Sequence, residues 1–233
     1  MQRAETQNNL GNAYRERIRG NKAENIEMAI ASLQLALMVY TKQDLPLKWA
    51  ETQNNLAIAY GKKIIGDKAE NLETAITAFQ NSLQIFTPEN LPIECLTVSH
   101  NLDDLYFQKA EWQWAIETYK IAIKAVKISC SWAITEIRRQ EIISQAITIY
   151  YCIVESYINL GQIDKAIEYV ELSKNRTLVE LITNRDLYPK GNISSTIIQK
   201  LDRLRREITI EEKRLAIEQN NHKLRVITER ERL

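Results

Sequence analysis

The chain opens with Ala4-Glu-Thr-Gln-Asn-Asn-Leu-Gly-Asn-Ala-Tyr14, and 46 residues later it reads Ala50-Glu-Thr-Gln-Asn-Asn-Leu-Ala-Ile-Ala-Tyr60. Self-similarity at a fixed spacing of a few tens of residues is typical of a solenoid, in which each unit buries its apolar face against the next unit. The sequence therefore predicts an array of stacked units. Such an array favours an extended binding surface over a catalytic pocket.

The same 46-residue register continues beyond these two blocks and divides the chain into units. Ala29-Ile30 recurs as Ala75-Ile76. A third unit begins with Asn101-Leu102 but has lost six loop residues, and a fourth, weaker unit keeps the shorter spacing. We predict four helix pairs, at about 1–45, 46–91, 92–130 and 131–175.

Each unit follows the pattern of the tetratricopeptide repeat (TPR), with a leucine, a small residue and a tyrosine on the first helix and an alanine and a bulky residue on the second. In the first unit, Leu10, Gly11 and Tyr14 share one side of a helix. The small Gly11 then leaves room for Ala29 and Leu33 of the partner helix. No stretch shows the sustained alternation of a strand. We predict an all-α fold, a TPR-type right-handed helical solenoid.

The residues at the unit boundaries predict where the helices begin. Asn25 and Asn71 are expected to cap the second helices of their units, because asparagine side chains accept hydrogen bonds from exposed backbone N–H groups. Pro46 and Pro92 are expected in the first turn of the next helix, where proline is best tolerated.

Composition limits the class of protein. With 45% apolar and 26% charged residues, the chain has the balance of a folded globular protein. The net charge of +1 gives no global attraction to nucleic acid or to an anionic membrane. The three cysteines leave one thiol over in any pairing and the N-terminus has no apolar signal segment, so we expect a cytoplasmic protein. The most apolar segment, 142–154, is too short to span a bilayer and is interpreted as the buried first helix of the fourth unit.

The C-terminal part of the chain leaves the repeat pattern. Residues 176–193 contain a Pro/Gly break and are predicted to form a capping or linker segment. Residues 194–233 are predicted to form a long charged helix, since neither Gly nor Pro occurs after Thr196. Its narrow apolar stripe suits a coiled coil or a helix lying along a partner. Ten basic and seven acidic residues are interleaved after residue 199, which disfavours nucleic-acid binding.

Three segments resemble the TPR region that precedes the caspase-like protease domain of bacterial CHAT proteins. They are 50–56, 65–73 and the run 170–191, which includes Asn184-Arg-Asp-Leu-Tyr-Pro-Lys-Gly191. The resemblance implies a protease-associated array from which the protease itself is absent. We therefore expect a fragment or split product of such a system.

A caspase-like site needs a thiolate activated by a histidine. The two histidines, His100 and His222, lie about a hundred residues apart in helical segments, away from any such context. We predict that the chain is not an enzyme, has no catalytic or metal-binding residues and needs no cofactor.

Asparagines mark the predicted binding groove, because the first helices of TPR arrays line the concave side. Asn9, Asn55 and Asn101 precede the motif leucine at 46-residue intervals, and such a row of amides can hydrogen-bond the backbone of an extended peptide. The same amides could instead bridge neighbouring helices. The other predicted groove residues are Asn8, Asn12, Asn54, His100 and Asp104.

We predict a protein-interaction scaffold that binds a peptide or protein in this groove. The alternative is a regulatory or sensor arm of a CHAT caspase-like protease supplied elsewhere. Trp112, Trp114 and Trp132 near the third unit could anchor a partner, although packing is the simpler interpretation.

Overall fold

The computed structural model of the chain describes residues 1–133 and 136–184. These residues form eight α-helices and no strand. The helices are α1 (Gln2–Glu16), α2 (Lys22–Leu37), α3 (Pro46–Gly61), α4 (Lys68–Leu83), α5 (Pro92–Gln108), α6 (Trp112–Trp132), α7 (Glu136–Asn159) and α8 (Ile163–Asn184). The prediction of an all-α helical repeat is confirmed.

Residues predicted to start helices behave in two ways. Pro46 and Pro92 occupy the first turns of α3 and α5, as predicted. The prediction for the second helices was wrong, because Asn21 and Asp67 cap α2 and α4 instead. The Asn21 side chain accepts hydrogen bonds from the backbone of Ala23 and Glu24.

Asn25 and Asn71 lie inside the first turns of α2 and α4 and are buried. Each side-chain amide donates a 3.0 Å hydrogen bond back to a loop carbonyl, that of Arg19 and that of Ile65 respectively. Both asparagines therefore brace the loop before the helix, where the chain passes through a glycine with positive φ.

The later units have tighter turns, in agreement with the predicted loss of loop residues. Only residues 109–111 separate α5 from α6. Ala110 in this turn has a φ of 55°, and Gly161, four residues after Tyr157 as Ala110 is after Tyr106, has a φ of 72°. The amides of residues 111 and 162 both donate 2.9 Å hydrogen bonds to the carbonyl of the motif tyrosine. The two turns are thus built alike.

The small residue of the motif permits close helix packing, as predicted. A Cβ placed on Gly11 would lie 2.6 Å from Cγ of Leu33 and 3.2 Å from the carbonyl oxygen of Ala29. The equivalent residue of the second unit, Ala57, is fully buried. This contact position holds α1 against α2 and α3 against α4.

Two polar contacts recur between consecutive units with the 46-residue register. Gln34 donates to the Tyr60 hydroxyl at 3.2 Å, and Gln80 donates to the Tyr106 hydroxyl at 2.9 Å. Lys63 pairs with Glu27 at 3.4 Å, and Lys109 pairs with Glu73. The motif tyrosine therefore serves as a hydrogen-bond partner of the preceding unit as well as a packing residue.

The helices stack in chain order, each packing mainly on its neighbours in sequence. A continuous core runs from α3 to α8. The first helix pair has its own smaller clusters, of which one joins it to α3 through Ile26, Ile30, Leu33, Leu56 and Ala59. The first helices also touch one another, α1 with α3 and α3 with α5, which places them on the inner side of the array.

The boundary between the repeats and the C-terminal segments stays a prediction. The end of the repeats was expected near Asn175, but α8 continues to Asn184, since nothing between Ile163 and Asn184 is a glycine or proline that would stop it. The predicted helix 194–233, with His222, lies outside the described residues, as does half of the segment 176–193, from 185 onwards. None of the described helices is long and apolar enough to cross a membrane.

Candidate functional site

A groove crosses three of the first helices, and we call it the asparagine groove. It is an open cavity of about 310 Å³ between α1, α3 and α5. Its polar lining consists of Asn8, Asn12, Glu51, Asn54, Asn55, Glu94 and Thr97. Phe86, Ile93 and Val98 supply the apolar part. The cavity thus joins side chains from three consecutive units, which a ligand along the array would meet in order.

Two of the asparagines bridge helices across the groove. Asn8 of α1 accepts hydrogen bonds from the Asn55 amide and from the Thr52 hydroxyl of α3, both at 3.3 Å. The Asn55 oxygen accepts from Nη1 of Arg15 at 3.4 Å. The amide of Asn55 is therefore engaged with α1 through both of its polar atoms.

Two other asparagines lack such partners. The side-chain oxygens of Asn12 and Asn54 are shielded from solvent and accept no hydrogen bond from the described residues. A buried acceptor without a partner is unfavourable by about 1–3 kcal/mol. Because the terminal torsion of asparagine is broad, each amide can turn its oxygen towards a donor placed in the groove. These two positions are therefore suited to hydrogen-bond a ligand.

Further along, a second cavity of about 330 Å³ lies between α5 and α7. It is lined by Leu96, Thr97, His100, Asn101, Thr148 and Ile149. The predicted residues His100 and Asn101 thus share a cavity with α7. Since Thr97 lines both cavities, they lie next to each other along α5.

The remaining predicted residues lie apart from these cavities. Asn9 and Asp104 are exposed on α1 and α5 and line neither cavity. The three asparagines predicted to form a row therefore lie in different places. Asn9 is exposed, Asn55 lines the asparagine groove, and Asn101 lines the second cavity. The contact across the helices joins Asn55 to Asn8, the residue before Asn9.

Asp103 occupies the place of Gly11 and Ala57 in the third unit and is fully buried. Neither carboxyl oxygen has a hydrogen-bond partner among the described residues. Burial, with a smaller contribution from the neighbouring Asp104, raises the pKa of Asp103 to about 10. The carboxyl is therefore protonated at neutral pH. The 46-residue register, applied to the small-residue position, would have identified this acid.

Two of the three thiols, Cys95 and Cys152, do not have the environment of a nucleophile. Burial raises the pKa of Cys95 to about 11 and also raises the pKa of Cys152. A reactive thiol requires the opposite shift. Among the described residues, no group of three His, Cys, Asp or Glu side chains is placed to hold a metal ion.

The tryptophans of the third unit are partly engaged in packing. Trp112 makes an edge contact with Phe107 at 4.9 Å between ring centroids. Trp114 stacks at 6.4 Å on Tyr106, yet its side chain is 60% exposed. Trp132 is also exposed. Packing accounts for Trp112, whereas Trp114 and Trp132 present aromatic surface to solvent.

Comparison with known proteins gives one family match. The family model described as "SNAP: Soluble NSF attachment protein, SNAP" matches residues 1–131, which include α1 to α5 and nearly all of α6. No curated protein matches the chain. The matched region contains the whole asparagine groove.

Proposed function

Since the chain belongs to the soluble NSF attachment protein family, we propose that it is an adaptor that holds a segment of another protein in the asparagine groove. The family is described as one of attachment proteins, and the chain is a TPR-like helical repeat. Arrays of this kind bind partners over extended concave surfaces. The mechanism that we propose is recognition without a chemical step.

The observation that carries this proposal is the state of Asn12 and Asn54. Both line the groove, and their oxygens lack partners in the described chain. An extended segment offers backbone N–H donors at regular intervals, so it can satisfy these oxygens whatever its side chains are. Each hydrogen bond gained in this way contributes about 1 kcal/mol.

The test replaces both amides with apolar side chains of similar size, Asn12→Leu and Asn54→Leu. Peptides selected from a random 12-residue library against the full chain are titrated with the wild type and the double variant. Loss of two hydrogen bonds should weaken binding by about 2 kcal/mol, or roughly thirtyfold. The same double variant should unfold at a higher denaturant concentration, because two unpaired buried oxygens are gone.

Asn9→Leu is the matched control, since Asn9 is exposed on the same helix and lies outside the groove lining. It should leave the affinity unchanged. Equal affinity of the wild type and the double variant for every selected peptide would contradict the proposal, as would the failure of any peptide to be selected.

The second candidate function is a regulatory arm of a caspase-like protease of the CHAT type. It is supported by the sequence of the run 170–191, of which α8 includes 170–184. A CHAT protease domain co-expressed with the full chain should then co-purify with it, and deleting residues 194–233 should abolish the complex. Retention of the complex after that deletion would contradict a role for this segment, and the absence of any complex would contradict the candidate.

A further inference from the structure

The charge of the asparagine groove is one-sided. Its lining contains two carboxylates, Glu51 of α3 and Glu94 of α5, and no lysine, arginine or histidine. Glu94 forms no ion pair with the described residues. Within the described part of the chain, Glu51 pairs with Lys48 alone, one turn earlier on the same helix, at 3.4 Å. Both side chains of that pair are about half exposed, so the pair is weak and exchangeable.

Arg15, which contacts the lining residue Asn55, is already paired with a carboxylate. Arg15 of α1 is 13% exposed, pairs with Glu16 at 3.0 Å and donates to the Asn55 oxygen at 3.4 Å. It does not line the groove. An acidic partner entering the groove would therefore meet two carboxylates without a compensating positive charge in the lining.

The hydrogen-bonding groups favour the same kind of ligand. The side chains of Asn12 and Asn54 line the groove together with the carboxylates of Glu51 and Glu94, and each amide can turn its unpaired oxygen towards a donor. A ligand that complements four such acceptor groups must supply many donors. The guanidinium of arginine has five N–H donors, no acceptor and a permanent positive charge.

We propose that the asparagine groove selects an arginine-bearing segment of a partner protein, with the guanidinium seated by Glu51 and Glu94 and hydrogen-bonded by the groove amides. This inference rests on the proposed function, because it names the ligand class of the same groove. The proposed function concerns hydrogen bonds to the backbone of the bound segment, which do not depend on its side chains. The present inference concerns the charge of those side chains.

Three labelled 12-residue peptides test this inference against the full chain. They share a Gly/Ser background and carry arginine, glutamine or glutamate at three alternate positions. Fluorescence anisotropy should show the arginine peptide binding tightest, by about tenfold over the glutamine peptide at low salt, with the advantage shrinking as salt is added. The variant with Glu51→Gln and Glu94→Gln should weaken binding of the arginine peptide about fivefold and leave the glutamine peptide unchanged.

A second double variant, Glu24→Gln with Glu117→Gln, is the control. It removes the same charge from exposed positions on α2 and α6, outside the groove, and should change neither affinity. An equal loss in both double variants would overturn the inference, since the preference would then be a general charge effect.

The remaining outcomes separate the two proposals. The arginine inference would be overturned if the arginine and glutamine peptides bound equally, or if the glutamate peptide bound more tightly. The proposed adaptor function would still stand in either case, provided that the double variant Asn12→Leu with Asn54→Leu weakens the binding that is observed. No binding of any of the three peptides would contradict both proposals.

Discussion

Replacing Asp103 with asparagine should stabilise the protein, and the gain should grow with pH. Asp103 is fully buried without a hydrogen-bond partner among the described residues, and burial raises its pKa from the ordinary value of 3.8 to about 10. Between these two values the unfolded chain has lost the proton that the folded chain still holds. Folding must therefore take up a proton, and stability falls as pH rises through this interval.

The magnitude follows from the length of that interval. Each pH unit above the unfolded pKa corresponds to about 1.4 kcal/mol for one proton. From 3.8 to pH 7 is about three units, so the penalty at neutral pH reaches about 4 kcal/mol as an upper limit. Asparagine has a similar shape and no proton to take up, and Asp103→Asn should recover this amount.

Urea unfolding followed by circular dichroism at pH 5, 6, 7, 8 and 9 measures the effect. The difference in unfolding free energy between Asp103→Asn and the wild type should increase by about 1.4 kcal/mol per pH unit. Tyr119 of α6 and Cys152 of α7 lie near Asp103, and because burial raises the pKa of both, neither group loses its proton between pH 5 and 8 in either protein. A difference for Asp103→Asn that does not change with pH would refute the reasoning.

Two further predictions concern the backbone. Gly11→Ala should destabilise the protein by about 1–2 kcal/mol in urea unfolding, because the new Cβ would lie 2.6 Å from Leu33 Cγ. Gly61→Ala is the control and should be neutral or stabilising, since its Cβ would lie at an ordinary 3.6 Å from Leu105. Equal effects of the two substitutions would disprove the close approach of α1 and α2. Ala110→Gly should raise the unfolding free energy by about 0.5–1 kcal/mol, because glycine adopts the positive φ of this position without strain. Gly161→Ala should lower the unfolding free energy by about 1 kcal/mol through the same strain, since the space around its Cβ is open. Changes in the same direction at both sites would show that the two turns are not equivalent.

The sequence was sufficient to predict the repeat, the all-α fold and the close contact at Gly11, because each depends on residue types at fixed spacings. It was not sufficient to choose the helix caps. Each loop offers two side chains that could cap the helix, four residues apart, such as Asn21 and Asn25 in the first unit. Which of them caps the helix depends on the direction in which the chain leaves the turn at Gly20. That conformation is not encoded in the spacing.

Among the asparagines named from the sequence, Asn8, Asn12, Asn54 and Asn55 line the asparagine groove, whereas Asn9 does not. Asn8 and Asn9 are adjacent, and adjacent residues point about 100° apart around a helix. Which of them meets α3 depends on how one unit is rotated on the next, a quantity set by all of the contacts between units. The structure places Asn8 against Asn55 and leaves Asn9 exposed. The peptide-binding role of these amides stays a prediction.

The separate small core of the first helix pair has a consequence for how the groove behaves. The groove needs α1, yet the buried apolar residues of α1 and α2 belong to two small clusters, which meet the long core of α3 to α8 through the partly buried Trp49 and Tyr60. A bound segment that contacts both α1 and α3 would hold the α1–α2 pair against α3. Binding of the segment and packing of the α1–α2 pair on the rest of the array would then stabilise each other. Heating that detaches the α1–α2 pair would then release the bound segment at a lower temperature than the one at which the remaining helices unfold.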